Sequence, residues 1–123
     1  MAYKLTSEKI GDVLHVNLTG TRTRESIMAI SKVIMKECVQ HGTKKVLADV
    51  RAMDGHLKAI SSYEIPNSFF PTIKDRSVLL KSAVVDLKES EHYFRYFESV
   101  VVNGGYTLRF FSDVDEAKKW LQD

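Results

Sequence analysis

At 123 residues, with 44% hydrophobic and 28% charged residues, the chain has the make-up of one ordinary globular domain spanning 1–123, which excludes disordered, collagen-like and coiled-coil classes. Lys and Arg number 18 against 16 Asp and Glu, a formal net charge of +2, and the basic residues are interleaved with acids, so no nucleic-acid stripe is present. Cys38 is the single cysteine, which rules out an internal disulfide and a zinc site of paired thiolates; the N-terminal residues lack a signal peptide's apolar run and no stretch approaches the ~18 apolar residues of a membrane span, so a cytoplasmic location is expected.

Tyr3 to Glu8 alternates apolar and polar residues, and Val13 to Thr19 does so again, with Leu14, Val16 and Leu18 on one side and His15, Asn17 and Thr19 on the other. Lys9-Ile10-Gly11-Asp12 supplies turn chemistry between them, which predicts a β-hairpin with one face polar enough to meet water. Gly20-Thr21-Arg22-Thr23 breaks the strand, and Thr23 or Thr21 can accept from the free amides of a following helix. Its apolar stripe is Ile27, Ile30, Ile34 and Cys38, widened by Val33 and Val39, and Gly42 ends it. Lys44 to Arg51 reads as a buried central strand that leaves through Asp49 and Arg51 into a turn at Ala52-Met53-Asp54-Gly55-His56. Strand, helix, strand makes a βαβ unit with a right-handed crossover.

Between 57 and 74, Leu57, Ile60, Tyr63 and Ile65 suit one helical face while Pro66 and Pro71 interrupt it, so a broken helical region carrying Phe69 and Phe70 is expected. Lys81 to Asp86 repeats the buried-strand pattern, and Ser90 can cap a helix from Glu91 whose buried side is Tyr93, Phe94, Phe97, Val100 and Val101. Asn103-Gly104-Gly105 stops that helix, and Tyr106 to Phe111 forms a further strand. Ser112-Asp113-Val114-Asp115 launches a last helix that buries Val114, Ala117, Trp120 and Leu121. The order β-β-α-β-α-β-α-β-α predicts an α/β fold on a mainly parallel mixed sheet with an antiparallel N-terminal edge strand.

This order, with the strands Val46-Leu47-Ala48-Asp49-Val50-Arg51 and Ser82-Ala83-Val84-Val85-Asp86 and the tail from Asn103-Gly104-Gly105 through Arg109-Phe110-Phe111-Ser112-Asp113 to Glu116-Ala117-Lys118-Lys119-Trp120-Leu121, resembles the STAS domain of anti-sigma factor antagonists and sulphate-transporter tails. It is most similar to the single-domain SpoIIAA-like group, also described as STAS/SEC14-like. The resemblance covers essentially the whole chain and implies a protein-binding, regulatory role. In the antagonists a serine in an Asp-Ser-x-Gly type of motif after the central strand is phosphorylated by a partner kinase. Here that place reads Asp54-Gly55-His56-Leu57, without the serine; Ser61 and Ser62, further on, are the phosphorylation candidates.

Open α/β sheets bind ligands beyond the C-terminal ends of their parallel strands, where this chain would present Asp49, Arg51, Asp54 and His56, then Asp86 and Lys88, then Ser112 and Asp113. A carboxylate, an imidazole and a guanidinium in one cleft could do acid/base work, although turn, cap and surface-pair roles account for the same residues. His15, His41, His56 and His92 lack metal-ligand spacing, and Walker, dinucleotide and Gly-x-Ser-x-Gly fingerprints are absent, so neither metal nor cofactor is expected. Every aromatic except Tyr3 lies from Tyr63 onward; Phe69, Phe70, Tyr93, Phe94, Tyr96 and Phe97 form either core, the wall of an apolar groove or a protein contact surface.

The leading expectation is a non-enzymatic binding or regulatory module, with Asp49, Arg51, Asp54, His56, Phe69, Phe70, Tyr93 and Phe97 as candidate binding residues. The alternative is a carrier or sensor of a small apolar or lipid-like molecule in a groove beside residues 57–74. A third is a small enzyme using Asp49, Asp54 and His56. The expected partner is a protein or a small apolar ligand, and homodimerisation through exposed apolar surface stays open.

Overall fold

A computed structural model of the chain describes residues 3–56, 81–103 and 106–123. Five strands form one sheet in the order β1 (Tyr3–Ile10), β2 (Val13–Thr21), β3 (Lys45–Asp54), β4 (Lys81–Val85) and β5 (Leu108–Phe111). The first pair is antiparallel and the others are parallel, as the alternation of strands and helices requires. The described helices are α1 (Arg24–His41), α2 (Glu91–Asn103) and α3 (Val114–Gln122). The helical region expected over 57–74, with Phe69, Phe70, Ser61 and Ser62, lies outside the described residues.

Period-two alternation divides the sheet's side chains between two cores. Leu14, Val16 and Leu18 of β2 join Val46 and Ala48 of β3 beneath Ile30 and Cys38 of α1. On the opposite, or back, face, Val13, Leu47, Ala83 and Val85 pack against Ala117 and Leu121 of α3, with Phe111 and Trp120 at the margin. Right-handed crossovers joining strands laid down successively in one direction put their helices on one face, and α1 and α2 do share the front face.

Local chemistry explains the boundaries. Thr23 caps α1 through a reciprocal box, its N–H donating to Ser26 Oγ (2.9 Å) and Ser26 N–H donating to Thr23 Oγ1 (3.0 Å). Gly42, at φ 65°, ends the helix in the left-handed region while Thr43 N–H donates to Cys38 O (3.0 Å), a Schellman closure. Asp113 caps α3 by accepting from Asp115 and Glu116 N–H. At the other end of α3, Lys81 Nζ donates to Trp120 O (2.9 Å) and Asp123 O (2.8 Å) and lies 4.9 Å from the Trp120 ring centre. At the sheet margin Glu98 of α2 accepts the Phe110 N–H of β5 at 2.8 Å.

Four local expectations change. β3 continues through Asp54 because Ala52, Met53 and Asp54 pair with Thr19, Gly20 and Thr21 of β2, where the sequence reads as a turn. A 3-10 turn at Lys88–Ser90 leads into α2, with Ser90 N–H donating to Leu87 O (2.9 Å). Val39 is 66% exposed and so falls outside the α1 stripe. Tyr93, expected on the buried side of α2, is 44% exposed.

Candidate functional site

β3 carries a bulge that organises the C-terminal edge of the sheet. Asn17 pairs with Asp49 and Thr19 with Ala52, so Val50 and Arg51 stand opposite Leu18 alone. The extra residue shifts the alternation by one, and Met53 joins Val46, Ala48 and Val50 on the front face. Without it, period two would send Met53 to the back.

Arg22, in the loop after β2, reaches across this bulge to Asp86 at the end of β4. Its Nη1 donates to Asp86 Oδ2 (2.5 Å), while Nη2 donates to Asp86 Oδ1 (3.0 Å) and to Val50 O (3.0 Å). Asp86 is fully buried and also accepts Leu87 N–H at 2.8 Å; the Arg22 side chain is 11% exposed. The Arg22 backbone N–H donates to Asp54 O (2.9 Å). One residue therefore ties the ends of β2, β3 and β4 together. A planar, always-charged guanidinium suits this bidentate task, which lysine could not perform.

Beside this clamp, α1, α2 and the sheet enclose a cleft of about 160 Å³. Leu18, Val46, Ala48, Val50 and Val84 make its floor; Ile27, Ile30, Ile34 and Met35 form one wall, and Phe94 and Phe97 line the other. Arg22, His56, Ser90 and Tyr93 also line it. The Phe94 ring lies 5.7 Å from those of Phe97 and Phe110. The His56 imidazole stacks on Tyr93 at 4.1 Å and 7°, and His92 contacts Tyr93 at 3.9 Å.

The expected site residues are thus separated. His56, Tyr93 and Phe97 meet at the cleft. Asp49 and Arg51 share the back face of β3, where Arg51 Nη2 and Nε donate to the two Asp49 carboxylate oxygens at 2.7 and 3.0 Å. These hydrogen bonds hold the Asp49 carboxyl below the usual carboxylate range and raise Arg51. The Asp54 side chain is exposed, and no hydrogen bond among the described residues joins His56 to Asp49 or Asp54. No group of three or more His, Cys, Asp or Glu suited to a metal occurs among them. Burial pushes the Cys38 thiol up to about 11, which makes it an inert packing group. On the back face His15 is lowered by burial and then by Lys118.

The sequence reading missed Arg22, which sits in a short polar loop with its partner 64 residues away. The α1 wall was legible as the Ile27, Ile30, Ile34 stripe, but as core and not as the side of a cleft.

No helix among the described residues is long and apolar enough to cross a membrane. No curated protein matches the chain. Among solved structures, an anti-sigma factor antagonist from Mycobacterium paratuberculosis is similar with a TM-score of 0.62 and 14% identity, over 98% of this chain and 95% of that one. A protein with a SpoIIAA-like fold from Shewanella loihica is similar with a TM-score of 0.54 and 19% identity, over 98% of this chain and 94% of that one. At such identities the likeness is one of fold alone. The SpoIIAA-like family model matches residues 13–122, from the first residue of β2 to the last of α3, and the chain belongs to the SpoIIAA-like family.

Proposed function

We propose that the chain is a non-enzymatic binding module and that the cleft between α1 and α2 is its ligand site. One observation supports this reading above others. The buried carboxylate of Asp86 is spent on Arg22, the half-buried one of Asp49 is spent on Arg51 behind the sheet, and the cleft beside the Arg22–Asp86 pair is lined mainly by aliphatic and aromatic side chains. Acid/base chemistry needs a positioned group free to exchange a proton. Apolar walls with few polar groups instead suit capture of a small apolar molecule. An environment-sensitive apolar dye titrated into the protein should brighten saturably at one site per chain. Val84→Phe, which puts a ring into the cleft floor, should weaken that signal at least tenfold; no saturable binding would sink the proposal.

A second reading, a regulatory module that binds a protein, is supported by the outer face of α2 and its leading turn. There Leu87, Tyr96 and Val102, none of which lines the cleft, are each 45–51% exposed, leaving large apolar side chains at the surface of a short stretch. The similar Mycobacterium protein, an anti-sigma factor antagonist, agrees with this reading. Proteins that co-purify with the tagged chain from its native host should be lost on Tyr96→Glu while the circular dichroism spectrum stays unchanged. Retention of the same proteins by that variant would remove this reading.

A further inference from the structure

The size, charge and wall chemistry of the cleft narrow its ligand beyond "small and apolar". This step rests on the cleft being the binding site. At about 160 Å³ it matches the scale of an apolar protein cavity that accepts benzene, about 150 Å³, and falls short of the roughly 300–1,000 Å³ of sites for drug-sized molecules. A long-chain fatty acid, with about twenty heavy atoms, belongs to the larger class and would overfill it.

Charge sets the second limit. Among the described lining residues the one guanidinium is that of Arg22, which is already neutralised by Asp86 through two hydrogen bonds. An anionic head group placed beside that pair would meet the buried Asp86 carboxylate, and no second Lys or Arg stands among the described lining residues to offset it. The third limit is the wall. Phe94 and Phe97 face the space as a stacked pair with ring planes 30° apart, and Phe110, tilted against Phe94, extends the cluster behind it. A planar ring entering there gains offset or edge-to-face contacts that an aliphatic chain of equal volume does not.

From these three constraints we infer that the cleft binds a neutral aromatic molecule of one ring or two fused rings, roughly 6–10 heavy atoms. The ring lies against Phe94 and Phe97, over the floor of Val46, Ala48 and Val84 and opposite Ile27, Ile30 and Ile34. The His56–Tyr93 stack forms part of the same lining and continues the aromatic wall.

Indole, its charged relative indole-3-carboxylate, and oleate separate the cases. Methyl carbon-13 NMR of the full chain at pH 7.5, titrated with each, should show saturable shifts of the Ile27, Ile30, Ile34 and Met35 methyls with indole. The dissociation constant for indole should be at least tenfold lower than for indole-3-carboxylate or oleate. Indole at about ten times that constant should raise Tm by roughly 3–5 °C. Val84→Phe should abolish these methyl shifts, and Ser31→Leu, at another lining position on α1, serves the same purpose if the first variant does not fold. Binding of oleate or indole-3-carboxylate as tight as that of indole, or indole shifts confined to methyls outside the cleft, would overturn the inference while leaving a ligand cleft standing. Absence of binding by all three compounds and by the apolar dye would overturn both.

Discussion

Asp86→Ala is expected to cost about 3–5 kcal/mol of folding stability, read as the change in urea midpoint at constant slope. The alanine strands a guanidinium that is 11% exposed, removes both oxygens of its one carboxylate partner and frees the Leu87 N–H. Most of the cost is the unpaired charge and not the loss of a favourable bond, because burying two ions sacrifices solvation that their attraction only partly restores. Replacing both Arg22 and Asp86 with leucine should therefore cost clearly less than the sum of the single substitutions. A loss below about 1 kcal/mol for Asp86→Ala would mean that solvent reaches Arg22 and that the clamp is a surface pair.

Leu121→Ala should cost about 2–5 kcal/mol, through the lost transfer energy of a fully buried side chain and the void left behind. Leu121 anchors α3 against Val13, Leu47, Ala83 and Val85 on the back face, with the sheet between it and the cleft. The variant should melt earlier yet keep the dye-binding constant of the parent when measured well below its Tm. A large change in dye affinity at full folding would show that α3 shapes the cleft through the sheet.

The contrast between these two residues reflects what the chain makes legible. Leu121 falls in a helical stripe with Val114, Ala117 and Trp120, a periodicity visible within one short window. β2 and β3 were equally plain, because Leu14, Val16 and Leu18 obey period two and Val46 to Val50 is nearly all apolar. The caps at Thr23, Gly42 and Asp113 follow from residue chemistry acting over three or four positions. Arg22 had no such signal, since its partner is distant along the chain and its loop looks like any polar break. The bulge was hidden too: Ala52-Met53-Asp54-Gly55 has turn composition, and only pairing with Thr19, Gly20 and Thr21 extends the strand through it. Asp49 and Arg51 were recognised as a pair, but period two alone places them behind the sheet, away from His56. The cleft emerges where three elements meet: the α1 stripe and the strands read as core, and only the α2 aromatics also read as the wall of a groove.

Glu98 at the β5 margin makes the two edges of the sheet unequal. With the Phe110 N–H already taken and β5 only four residues long, that margin is a poor template for another strand. The opposite margin, β1, has eight residues and no neighbour on its outer side among the described strands. The two margins thus differ in kind: a side chain closes β5 to strand addition, while β1 keeps an outer row of backbone groups with no described strand against it.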